Sequence, residues 1–359
     1  MDFGLSEEQA LLQHTVEQFL EKECPPSRLH EIFDGDAPYD TDLWRGMTEL
    51  GLAGLVVPEV HGGAGLELID LALVAETLGR AAAPGPFLGN ALATVALALG
   101  GSETQQKSWL PKLAGGEALG SVALAEPDGG WEPDAWSAAV EGGRLSATKP
   151  YVPNGASADL LVVGTAGGGL ALVEGRAAGV TTKPIDAADR TRRLDELTLE
   201  AAPCEPLENG AAAAPRVRDA GLCLLAADAF GGASKCVEMS VEYAKTREQF
   251  GVTIGHFQAL KHQLANMATE IEPARGLYWY AAHAFDALPE EAERAAALAK
   301  AHITDRFMQI GRDAVEAHGG IGFTWEGDVQ IWFKRAMFDR AFLGTPAHLR
   351  ARAAALAGW

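Results

Sequence analysis

Residues 246–258 read TREQFGVTIGHFQ, and the fold turns on what this stretch joins. Upstream, RVRDAGLCLLAADAFGGASKCVEMSVEYAK (216–245) spaces its apolar residues as a helix does; downstream, ALKHQLANMATEIEPARGLYWYAA (259–282) does the same. Gly251 and Gly255 mark the connection as a tight turn between two helices. PEEAERAAALAKAHITDRFMQIGRDAVEAHG (289–319) and the terminal pair VQIWFKRAMFDRAFLG (329–344) and PAHLRARAAALAG (346–358) continue the pattern. Long amphipathic helices joined by short turns predict an antiparallel four-helix-type bundle over residues 209–359. Within it, Arg247 and Gln258 flank the turn in a strongly acidic chain, which raises the question of a ligand.

Residues 118–208 have a different texture. GSVALAEP, WSAAVEGGRLSATK, ADLLVVGTA, GLALVEG and GVTTKPI are short alternating or β-branched runs punctuated by Gly, Pro, Asp and Asn. They predict a middle antiparallel β domain. Residues 1–117 read as helices again. Ser6 and Gln9 form a capping-box start, TDLWRGMTELG ends at a C-cap glycine, Gly51, and HGGAG (61–65) is a loop needing unusual backbone angles. The expected class is therefore α+β, in the order helical domain, β domain, helical bundle.

Composition sets limits. The 359 residues are 48% hydrophobic and 22% charged, with a formal net charge of −20, so a sizeable core is affordable and a nucleic-acid or anionic-membrane partner is disfavoured. The basic run DRTRRLDE (189–196) is half neutralised by its own acids and reads as a solvated loop. Cys24, Cys204, Cys223 and Cys236 form no CxxC pair, which suggests reduced thiols in a cytoplasm and no zinc site. The acidic MDFGLSEEQ start lacks a signal peptide's basic and apolar regions. AAAPGPFLGNALATVALALG (81–100) carries no charge, but its prolines, glycines and asparagine favour a buried core helix over a membrane span.

No P-loop, GxGxxG, GxSxG or HExxH occurs, and GGIG (319–322) as a bare motif is a structural turn. The ordered set says more: EP (126–127) after a strand, REQFG and GHFQ between two long helices, and EAHGGIGFTWE (316–326) near the end. With the LSEEQ helix and the GLAGLVVPEVHGGAG loop, this set resembles the acyl-CoA dehydrogenase family along essentially the whole chain. The resemblance implies that REQFGVTIGHFQ reaches FAD held by a neighbouring chain. Arg247 would face the pyrophosphate, Phe250, Ile254 and Gln258 would line the site, and Gly319 and Gly320 would let backbone approach the cofactor. Glu316 departs from the family's glutamine before the glycine pair.

The family's contacts to a chain's own flavin are degraded here. LAEPDGGW (124–131) puts Ala125 and Trp131 at a threonine and a serine, and YVPNG (151–155) puts Pro153, without hydroxyl or N–H, where a threonine serves the flavin edge. Tyr151 could still stack on a ring, while Trp131 is expected to occlude the pocket. The catalytic base is missing at both family positions: Leu343 precedes Gly344 and Thr345, and Gly221 occupies the alternative site. Asp219 is near but on another helix face. The catalytic residues are thus unknown, and the pattern resembles the non-catalytic subunit of the α2β2 acyl-CoA dehydrogenases of bacterial steroid side-chain degradation. Such a heterotetramer implies a sister subunit, a bulky acyl-CoA substrate and an electron-transfer flavoprotein or similar acceptor. A self-sufficient homomeric enzyme with Asp219 as relocated base, and a non-enzymatic interaction protein on the same scaffold, are the alternatives.

Overall fold

In the computed structural model, residues 4–359 are described, so the first three residues of the acidic start fall outside the described residues. The first helices are α1 (Glu7–Glu23), α2 (Pro26–Asp34), α3 (Thr41–Glu49), α4 (Leu68–Arg80), α5 (Phe87–Gly100) and α6 (Glu103–Ala114). The capping box at the head of α1 is formed: Gln9 N donates to Ser6 Oγ and Ser6 N to Gln9 Oε1, both at 3.1 Å. Past α3, Gly51 takes the left-handed angle (φ 79°) that stops the helix, and Gly62 and Gly65 do the same in the following loop (φ 82° and 62°). The uncharged α5 is buried along almost its whole length, as a core helix is.

The strands are β1 (Gly120–Ala123), β2 (Val140–Glu141), β3 (Arg144–Pro153), β4 (Leu160–Thr165), β5 (Gly169–Glu174), β6 (Val180–Ile185), β7 (Leu194–Pro203) and β8 (Glu205–Pro206). They form two four-stranded sheets, β1-β4-β5-β8 and β2-β3-β7-β6. The expectation of an antiparallel domain is corrected at one pair: β1 runs parallel to β4, with Gly120 opposite Leu160. After β1 the chain builds β2 and β3 in the other sheet and returns beside β1 in the same direction, a crossover that local alternation does not record. Every residue of β4 is buried. Leu160 and Val162 join the main core, whereas Leu161 and Val163 join a second core between the sheets. Burial on both faces explains its unbroken apolar run.

The chain then enters α7 (Gly210–Thr246), the hairpin strands β9 (Glu248–Gln249) and β10 (Val252–Thr253), and the helices α8 (Gln258–Ile271), α9 (Arg275–Ala287), α10 (Pro289–Ala317), α11 (Val329–Ala341) and α12 (Pro346–Leu356). The central α7 is long and apolar enough to cross a membrane by length and composition, and it is mostly buried inside the protein. It packs against α4 on one side and α10 on the other. At the α4–α7 crossing a Cβ on Gly79 would run into the Asp228 carbonyl, and one on Gly231 into the Glu76 carbonyl, so these glycines set the close approach.

The basic run at 189–196 is not a solvated loop. Asp189, Thr191, Arg192 and Asp195 are buried. Arg192 pairs with Asp189 (3.0 Å) and Asp339 (2.6 Å), while Arg335 grips Asp228 (2.5 Å) and the Thr191 hydroxyl (2.8 Å). Buried charge is tolerated when it is paired and hydrogen-bonded, and the pairing partners lie on α7 and α11, out of sight of local composition. Burial, opposed by Arg192 and reinforced by the neighbouring Asp228, pushes the Asp339 carboxyl well up from its ordinary value.

Candidate functional site

The turn between α7 and α8 is a two-residue hairpin. Gln249 pairs with Val252, and both residues between them have positive φ, Phe250 at 57° and Gly251 at 79°. Glycine adopts this conformation freely, whereas a phenylalanine there is strained. Phe250 is also 92% exposed, so neither its backbone nor its ring is stabilised by packing within the chain. Arg247 caps α7 with its N–H on the Tyr243 carbonyl (2.8 Å), and its carbonyl accepts from Ile254 N (2.8 Å). Its side chain is exposed and makes no ion pair among the described residues.

These elements border an open cleft of about 550 Å³ at the C-terminal end of α10. Arg247, Ile254, Gly319 and Gly320 all line it, together with Glu316 and Tyr243. A Cβ on Gly319 or Gly320 would meet nothing within 4 Å, which leaves their backbone open to a ligand. Phe250 and Gln258 stand outside the cleft wall. The former is at the hairpin tip, and the latter opens α8 with its amide 3.4 Å from His262 Nε2. Two cleft residues had no role in the sequence reading: Tyr243 and His318 stack at 4.6 Å, and burial pushes the imidazole's pKa down. His318 adjoins Gly319, the signal that could have flagged it.

At the other end of the chain's own expected flavin site, the structure places Trp131 against Phe342 (4.9 Å, edge-on) and near-parallel to Tyr151 (6.2 Å, 25° between planes). Phe342 stacks in turn on Phe338 (5.0 Å), and the Arg192 guanidinium lies 4.0 Å from the Phe338 ring centre. Trp131 is held from behind. The adjacent Glu132 binds Arg218 (2.9 Å), Arg352 (2.5 Å) and His348 (2.9 Å). Burial opposes ionisation of Glu132, but His348, Arg218 and Arg352 outweigh it and hold its carboxyl below the usual range. Ala125 is fully buried and Pro153 closes β3. At the positions where the family resemblance puts flavin contacts, an indole, a methyl group and a proline ring replace hydroxyl donors, and that donor set does not suit the edge of an isoalloxazine ring.

Gly221 on α7 and Leu343 after α11 meet in space. A Cβ on Gly221 would run into Leu343 Cδ1 and lie 3.4 Å from Leu92. Leu343, at φ 56°, and Leu92 are both buried. The two positions where the family resemblance puts a base are thus in contact with each other and with Leu92, and neither carries a titratable group. Asp219 faces Arg218, which donates from Nε (3.0 Å) and Nη2 (2.8 Å) to the same carboxylate oxygen. Burial, which Arg218 only partly offsets, pushes its carboxyl up to about 6. It is committed to an ion pair.

Known proteins place this architecture. "Acyl-CoA dehydrogenase, N-terminal domain" matches residues 6–117 and "Acyl-CoA dehydrogenase, C-terminal domain" matches residues 219–357. The chain is 36% identical over 347 residues to "Acyl-CoA dehydrogenase IpdE2" of Mycobacterium tuberculosis, covering 96% of each chain. It superposes on the "Tcur3481-Tcur3483 steroid ACAD G363A variant" with a TM-score of 0.91 at 32% identity, covering 98% of both chains. On a chain of the "ChsE4-ChsE5 complex from Mycobacterium tuberculosis" the TM-score is again 0.91, at 25% identity, covering 100% of this chain and 99% of that one. Helical block, paired sheets and helical bundle, with likeness along nearly the full length, make this chain a member of the acyl-CoA dehydrogenase family of flavoprotein oxidoreductases.

Proposed function

We propose that this chain is the non-catalytic subunit of a heteromeric, FAD-dependent acyl-CoA dehydrogenase acting on a bulky, steroid-type acyl thioester. The observation that carries the reading is the contrast between two sites. The chain's own flavin and base positions are filled by Trp131, Phe342 and Leu343, while the Arg247 cleft stands open. Removing a proton next to a thioester needs a carboxylate at the reacting carbon, and neither Gly221 nor Leu343 can supply one. The sister subunit supplies the base and the flavin ring. Arg247, Ile254, Gly319 and Gly320 complete its FAD site, with Phe250 and Gln258 presented to the neighbour from the hairpin and the head of α8.

FAD, when bound, accepts the hydride; this chain's residues hold and shield the dinucleotide part. In this reading residues 1–117, 118–208 and 209–359 are the three domains, the complex is a cytoplasmic α2β2 heterotetramer, and an electron-transfer flavoprotein reoxidises it. Support for a heteromer comes from the solved structures it superposes on, the ChsE4-ChsE5 complex and the Tcur3481-Tcur3483 steroid ACAD, each named for two components. The test is co-expression with the product of an adjacent acyl-CoA dehydrogenase gene, followed by a flavin spectrum and a subunit count. A yellow complex with one FAD per pair of unlike chains supports the reading; a yellow homomer of this chain alone defeats it.

A further inference from the structure

Residues 318–328, between α10 and α11, supply half of the lining of the Arg247 cleft, including Gly319, Gly320, Thr324 and Glu326. Little holds this segment from within. It opens with a short 3₁₀ turn, Gly319–Phe323, and of its three large apolar side chains Ile321 and Phe323 are exposed. A Cβ on Gly319 or Gly320 would meet nothing, so no local contact fixes their backbone. Only Trp325 packs, and it does so on α2, 291 positions away in sequence. The indole lies 5.0 Å from the buried Phe33 ring and edge-on to His30 at 4.8 Å. Its Nε1 donates to Asp34 Oδ2 (2.9 Å), and the Lys334 ammonium of α11 sits 4.7 Å from the Phe33 ring centre and 4.6 Å from that of Trp325. A second tie joins His30 Nε2 to Asp328 Oδ1 (2.7 Å) where the segment ends. The helix α2 is itself firmly seated. Leu29 and Phe33 are buried, and Arg193 donates to the Ile32 (3.3 Å) and Gly35 carbonyls at its C-terminal end.

None of His30, Phe33, Asp34, Trp325 and Asp328 lines the cleft. Backbone that meets a ligand works best when held within about 0.5 Å of its working place, and a loose segment must be ordered as the ligand arrives. We propose that α2 is the positioning element for the cofactor-facing wall: His30 and Asp34 act through Asp328 and Trp325 to hold Gly319 and Gly320 in place for the neighbour's FAD. Part of the affinity for FAD is thus set by a helix outside the cleft. This inference rests on reading the Arg247 cleft as part of an FAD site.

Three variants test it: Asp34→Ala, His30→Ala combined with Asp34→Ala, and Asp34→Asn, which keeps an acceptor for the indole N–H. Hydrogen exchange on the isolated full chain reads the wall without any cofactor. In the double variant the Thr324 and Gly327 amides, bonded at 3.2 Å to the Ile321 and Thr324 carbonyls, should exchange about tenfold faster, with the buried α7 amides unchanged. Equilibrium dialysis of FAD against the assembled complex, at an unchanged ratio of subunits, gives the second readout. Retention should be about tenfold weaker in the double variant, about threefold weaker in Asp34→Ala and near wild type in Asp34→Asn. Unchanged exchange over 318–328, exchange that rises alike along the whole chain, or unchanged FAD affinity overturns the proposal. Arg247→Ala in the same assay separates the two levels. Weaker retention there but not in the double variant overturns the positioning role alone; unchanged retention in both overturns the cofactor reading beneath it.

Discussion

Arg247 sits at the head of a hairpin with an exposed guanidinium that makes no hydrogen bond or ion pair among the described residues, so its removal separates binding from folding. Arg247→Ala should leave Tm unchanged and weaken FAD retention by the assembled complex by about 1.5–3 kcal/mol, the worth of a charge-assisted hydrogen bond. Equilibrium dialysis of FAD against both complexes checks this, and unchanged affinity would remove Arg247 from the site. Asp219 makes the opposite case, because its carboxylate is already committed to Arg218. Asp219→Asn should leave turnover of the complex within about threefold, roughly half the free energy of a tenfold change. A collapse of turnover with FAD content preserved would make this chain the donor of the base. Lys300 offers a pH test. Burial pushes its ammonium down to about 7, and its Nζ donates to the Arg340 carbonyl (3.0 Å) and to that of Gly344. Between that value and the ordinary lysine pKa of about 10.4, the unfolded chain binds the proton that the folded chain has lost. Stability should therefore gain from this group as pH rises through that window. Urea unfolding at pH 7 and pH 9.5 should show that upward contribution in the wild type and its absence in Lys300→Met.

At the level of elements, the helices were legible because capping and 3.6-residue periodicity are local: Ser6, Gln9 and Gly51 mark real ends. The β1–β4 direction and the burial of Asp189, Thr191, Arg192 and Asp195 were not legible, because both depend on partners remote in sequence. The α4–α7 crossing is similar, since nothing near Gly79 or Gly231 announces that each faces the other helix's backbone. A methyl group there must push two helices apart. Gly231→Ala should lower stability by about 1–3 kcal/mol or more, as overpacking of a tight core does. A denaturant midpoint equal to the wild type's would mean that the crossing is looser than its geometry implies.

For the whole molecule the expectation, on the reading proposed above, is that the purified single chain is colourless, since Trp131 packs on Phe342 and Ala125 and Pro153 carry no hydroxyl at the positions where the family resemblance puts flavin contacts. Absorbance between 350 and 500 nm on the isolated chain checks this, and stoichiometric flavin there would restore the homomeric alternative. Much of the candidate site could be read from sequence because Arg247, Ile254, Gly319 and Gly320 converge as the motif order implied. Phe250 and Gln258 stand outside that cleft, and on the proposed reading what faces them is a neighbouring chain. The meeting of Gly221 and Leu343 has a further consequence. A carboxylate introduced at 221 collides with Leu343, and one introduced at 343 places a charge in a buried position. Each single change that would supply a carboxylate here thus begins with a loss of stability, whichever position is changed first. On the reading proposed above, this one point of packing would make the subunit's dependence on a sister chain hard to reverse by single substitutions.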